Sequence, residues 1–169
     1  MDERITVNGI ELEVLRCGRG RPALLLHGFD TVPPGSRFLD LLGEHAEIIA
    51  PSSPGFGDTK RPADFDTIYD LVHLYLALID ELPYGRLSLI GLSFGGWLAA
   101  EVALACRHKL DRLILADPVG IKLGDRESRD RALDRTLLDS LVFRATAITH
   151  WSFSVPPMRD TAFTIVFLS

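Results

Sequence analysis

The sequence predicts an α/β fold: a three-layer sandwich whose sheet is mostly parallel, with an antiparallel edge at the N-terminus. Three observations carry this. Short apolar runs alternate with longer stretches of helical periodicity, the pattern of βαβ units. Ile5-Thr6-Val7 and Ile10-Glu11-Leu12-Glu13-Val14-Leu15 alternate apolar and polar residues around Asn8-Gly9, a strong hairpin signal. Leu87-Ser88-Leu89-Ile90 runs into Gly91-Leu92-Ser93-Phe94-Gly95, and a small-residue helical segment follows at once.

After the hairpin, residues 23–27 read as a strand, apolar from Ala23 to Leu26, as inside a parallel sheet. Ser36 to His45 reads as a helix capped by Ser36, with Phe38, Leu41 and Leu42 on its apolar face. Glu47-Ile48-Ile49-Ala50 is a strand that Pro51 ends. Asp66 to Leu82 is a helix with Asp66 as its cap. Its expected buried face is Ile68, Leu71, Val72, Tyr75, Leu78, Ile79 and Leu82, and Pro83-Tyr84-Gly85 stops it. Residues 86–91 form a strand, 95–107 a helix and 112–116 the next strand.

Gly91-Leu92-Ser93-Phe94-Gly95 is a G-x-S-x-G pentapeptide in the strand–turn–helix context of a nucleophile elbow. Gly91 and Gly95 flank the serine because a strained turn leaves no room for side chains there. The helix behind Ser93 presents its positive end to negative charge developing on a reacting carbonyl. Such chemistry needs two backbone N–H donors, one after the nucleophile and one from the loop after an earlier strand. Leu26-His27-Gly28-Phe29 supplies that loop, so the N–H groups of Phe29 and Phe94 are the expected oxyanion hole. Gly28 permits close approach, and His27 reads as a loop-shaping residue rather than a base.

At this point the chain resembles the α/β-hydrolase superfamily, its serine-nucleophile branch. The resembling segments are residues 24–29, Ala50-Pro51-Ser52-Ser53-Pro54-Gly55-Phe56-Gly57-Asp58-Thr59 with its turn from Pro54, Gly91 to Gly96, and Leu113-Ile114-Leu115-Ala116-Asp117-Pro118. In the turn, Asp58-Thr59 replaces the usual small residue and serine. The match runs over roughly residues 3–124, which implies a partial core over 1–124, truncated after about the sixth strand. Residues 125–169 are then the start of a lid or an anomalous tail.

The resemblance implies an acid and then a histidine after the serine in chain order. Asp117 is the candidate acid, and its other reading is a strand-end turn residue before Pro118. His150 is the candidate base, although it lacks the family's Gly-His setting. His108, between the nucleophile helix and the next strand, is expected at the opposite end of the sheet. All 14 glycines precede residue 125. Three readings of the tail stand: truncation inside a lid, out-of-frame sequence, or a minimal variant in which residues 163–168 rebuild the sheet edge.

Composition bounds the partners. The 169 residues are 47% hydrophobic and 24% charged, with net charge −5, so one soluble domain without a nucleic-acid footprint is expected. The N-terminus has no apolar signal region, and no run is long enough to span a membrane. Cys17 and Cys106 are isolated, which suits a reducing cytoplasm and no metal site. No cofactor is expected, and the partner is a small-molecule substrate. The function predicted is hydrolysis of an ester, or of an activated C–C bond, through Ser93. The alternative is a non-catalytic module that has the elbow without the base. A phosphate-binding protein is a third reading, weakened because both glycine-rich nucleotide motifs are missing.

Overall fold

The computed structural model describes residues 2–119 and 162–166; His150 and the boundary expected at residue 124 lie outside them. Strands β1 (Asp2–Val7) and β2 (Ile10–Gly18) form the predicted hairpin. Asn8 and Gly9 both adopt positive φ, 50° and 81°, the conformation a two-residue turn needs to match strand twist. Strands β3 (Pro22–Leu26), β4 (Glu47–Pro51), β5 (Leu87–Leu92), β6 (Leu110–Ala116) and β7 (Ala162–Val166) complete the sheet. Among the described residues its order is β1-β2-β4-β3-β5-β6-β7, parallel from β4 to β7.

Helices α1 (Arg37–Gly43), α2 (Ile68–Glu81) and α3 (Phe94–Cys106) cover both faces. Alternation along the strands divides the core. Leu24, Leu26, Ile49, Leu87 and Leu89 face α2 and α3, while Ala23, Leu25, Ile48 and Ile90 face Leu39 of α1. Both sides of the central strands are buried, which is why these strands read as continuous apolar runs.

Two expectations need correction. Leu39, not Phe38 and Leu41, is the buried residue of α1; Phe38 is 42% and Leu41 49% exposed. A helix this short meets the sheet through little more than one side chain, and a face drawn through 38, 41 and 42 is rotated from the one that docks. The cap of α2 is Thr67, not Asp66. Thr67 Oγ1 accepts from the Asp70 N–H at 3.2 Å, while Asp70 Oδ2 accepts from the Thr67 N–H at 2.8 Å. This reciprocal capping box satisfies two groups at once, which a lone aspartate does not. Arg112 to Ala116 run parallel to Ala162 to Val166, a strand that overlaps residues 163–168, which one reading of the tail has rebuild the sheet edge.

Candidate active site

The carboxyl ends of β3, β5 and β6 meet at one edge, with Leu26 beside Gly91 and Leu92 beside Ala116. Ser93 follows β5 there as the N-cap of α3, at φ 50° and ψ −114°. A non-glycine residue at positive φ is uncommon and costs on the order of 1–3 kcal/mol, so the surroundings must hold it. They do so through both backbone groups. The Ser93 N–H donates to the Ala116 carbonyl at 2.9 Å, and the Ser93 carbonyl accepts from Gly96 N–H at 2.9 Å and Val119 N–H at 3.1 Å. Ser36 and Thr67 spend their hydroxyls on capping, but the Ser93 side chain makes no cap hydrogen bond.

The flanking glycines are explained by packing. A Cβ on Gly91 would lie 2.4 Å from the Gly95 carbonyl oxygen, and one on Gly95 would lie 2.3 Å from the carbonyl oxygens of both Leu26 and His27. The start of α3 is thus pressed directly on the end of β3. The same closeness brings the following loop to the serine: a Cβ on Gly28 would be 3.2 Å from Ser93 Cβ and 3.8 Å from its Oγ. Phe29 and Phe94 lie side by side with ring centroids 5.6 Å apart, and Phe94 meets Trp97 edge-on at 6.0 Å.

His27 is buried, and both ring nitrogens are engaged. Nε2 accepts from the Ser53 N–H at 2.9 Å, so the proton sits on Nδ1, which donates to the Gly28 carbonyl at 2.9 Å. Burial holds its pKa below the ordinary value, against weaker opposing contributions from Gly28 and Asp30. The ring is therefore a neutral brace between two loops. His108 lies in the 3-10 turn 107–109 before Leu110, at the opposite edge of the sheet from Ser93.

Three side-chain ties were not foreseen from the sequence. Ser53 Oγ pairs with the Tyr75 hydroxyl at 2.8 Å, tying the turn to the buried face of α2. Glu13 Oε2 accepts from Ser52 Oγ at 3.1 Å and from the Asp58 N–H at 3.0 Å. Thr59 Oγ1 accepts from the Glu13 N–H at 2.9 Å, so the threonine that replaces the family's serine anchors this turn to β2. Asp117 ends β6 on the same edge as Ser93, exposed and at φ 46°. Among the described residues no group of three His, Cys, Asp or Glu side chains could hold a metal, and no helix is long and apolar enough to cross a membrane.

Comparison with known proteins gives the family of the chain. Residues 23–166 match the alpha/beta hydrolase family. The 2-hydroxy-6-oxo-2,4-heptadienoate hydrolase of Pseudomonas putida is 33% identical over 69% of this chain and 44% of its own length. The soluble epoxide hydrolase of a Corynebacterium is 30% identical over 70% of this chain and 43% of its own. Among solved structures, a meta-cleavage product hydrolase superposes with TM-score 0.63 at 28% identity, over 72% of this chain and 47% of that one. The chain spans less than half the length of these curated relatives. It belongs to the alpha/beta hydrolase family.

Proposed function

We propose that Ser93 is the nucleophile of a serine hydrolase acting on an ester or on an activated C–C bond. The observation that carries this is the strained, doubly clamped turn that leaves Ser93 Oγ outside the capping pattern and beside the Gly28 loop. In the reaction, Oγ attacks a carbonyl carbon and its proton passes to a base. The oxyanion accepts hydrogen bonds from the Phe29 and Phe94 N–H groups; its collapse breaks the C–O or C–C bond, the leaving group takes the proton from the base, and water then cleaves the acyl–Oγ bond to give the carboxylic acid and free Ser93. The first choice of C–C substrate is a 2-hydroxy-6-oxo-2,4-dienoate, by the likeness to the Pseudomonas putida hydrolase. Ser93 at the elbow argues against the epoxide-opening branch, which the resemblance assigns an aspartate there.

A base is the open requirement. His27 has both nitrogens committed; of the two histidines that follow Ser93, as the family's chain order requires, His108 is at the wrong edge, so the part falls to His150. A second reading follows from the same fact: a binding module with an elbow but no base within reach. The deciding experiment is labelling with a fluorophosphonate, alongside turnover of p-nitrophenyl acetate and of the dienoate, against a Ser93→Ala control. Labelling and turnover that vanish in Ser93→Ala support the enzyme. An intact folded chain that neither labels nor turns over supports the binding module.

A further inference from the structure

The chain leaving β6 crosses back over the start of α3 within three residues, and Asp117 makes the bend. Its φ of 46° lies in the left-handed region, which L-residues other than asparagine and aspartate rarely enter. It also precedes Pro118, a position normally driven to extended backbone. What the bend achieves is specific. Residue 116, before it, accepts the Ser93 N–H at 2.9 Å, and residue 119, after it, donates to the Ser93 carbonyl at 3.1 Å. Between them Pro118 is seated on Gly96, where a Cβ would come within 2.7 Å of the proline Cβ. An extended residue 117 would carry Pro118 and Val119 away from the elbow, and one of the two clamps on Ser93 would be lost.

We propose that Asp117 is a positioning residue: it holds the left-handed bend that pins the backbone of Ser93, and its carboxylate is not the orienting acid. The inference rests on the reading of Ser93 as nucleophile. Asparagine tolerates this backbone and glycine enters it freely, but neither carries a charge; alanine is equally uncharged and resists it.

The test compares Asp117→Asn, Asp117→Gly and Asp117→Ala in the full chain. Two readouts are needed: amide hydrogen exchange at Ser93 and Val119, and the rate of fluorophosphonate labelling of Ser93. The expected result is near-parental exchange and labelling for Asn and Gly. Ala should lose protection at Val119 by about five- to thirtyfold, the ratio that a left-handed penalty of this kind implies, and should label more slowly. Equal protection in Ala, Asn and Gly overturns the proposal. So does a labelling rate that falls alike in all three while exchange is unchanged, because that pattern belongs to a carboxylate acid. If Ala does not fold, the Asn and Gly variants alone decide: slow labelling in both sinks the idea. A parental chain that never labels, with the exchange order intact, refutes the nucleophile and leaves the clamp standing.

Discussion

His27 Nε2 accepts a hydrogen bond from the backbone N–H of Ser53 at 2.9 Å, and so joins the loop after β3 to the turn after β4. Its other nitrogen holds the Gly28 carbonyl, next to the residue assigned as an oxyanion donor. The brace works only while the ring is neutral, since a proton on Nε2 would place two donors face to face. Burial lowers its folded-state pKa below the ordinary value of 6.5. Between the two values the unfolded chain binds a proton that the folded chain refuses, so stability is whole above about pH 6.5 and declines as pH falls below it. Urea titrations at pH 7.5 and 5 should show this loss, and His27→Ala should reduce it. That variant should also cost about 1–3 kcal/mol for each of the two polar groups it orphans. A pH dependence identical in both proteins would remove His27 from the account.

Tyr75 extends the brace into the core. Its hydroxyl is fully buried and paired with Ser53 Oγ, and burial pushes its pKa up to about 12. Tyr75→Phe should lower stability by about 1 kcal/mol, and Ser53→Ala by a similar amount. Because each removes the same bond, the double variant should be less destabilised than the sum of the two. Strict additivity would show that the two hydroxyls do not support one another.

The parts legible in the sequence were those written in short contiguous codes. Asn8-Gly9 specified the hairpin, the apolar runs specified buried parallel strands, and Gly91 to Gly95 specified the elbow. What was missed depends on partners distant in the chain. Ser53 and Tyr75 are 22 residues apart, and Glu13 and Asp58 are 45 apart, so no local pattern joins them. Leu74 is also buried although the helical face drawn for α2 omitted it, because α2 packs against both the sheet and α3. The cap of α2 was a different failure. Thr67-x-x-Asp70 was present as a local code, but Asp66 beside it satisfied the simpler rule.

That cap gives a direct contrast between the two neighbouring residues. Thr67→Ala should cost about 1 kcal/mol, while Thr67→Ser should be nearly neutral, since either hydroxyl can accept the Asp70 N–H. Asp66→Ala should change little, because Asp66 contributes its backbone N–H to Asp70. Thermal melts of the three variants check this; a larger loss in Asp66→Ala than in Thr67→Ala would restore Asp66 as the cap.

Glycine-to-alanine substitutions should separate close packing from simple chain entropy. At Gly95 the new methyl would meet two backbone carbonyl oxygens at 2.3 Å, and neither belongs to a flexible side chain that can swing aside. Either α3 lifts from β3 or β3 shifts, and each movement disturbs Gly28 beside Ser93. The cost should be at the upper end of overpacking, about 3 kcal/mol, with Ser93 labelling reduced in whatever protein still folds. Gly85 stands in the turn between α2 and β5, with nothing within 4 Å of an added Cβ and no left-handed φ. There alanine only removes freedom from the unfolded chain, so Gly85→Ala should raise stability by about 0.4–1 kcal/mol. Denaturant midpoints of the two variants should therefore move in opposite directions. A Gly95→Ala protein as stable as the parent would mean that the start of α3 is not pressed on the end of β3, and the geometric account of the elbow would fall with it.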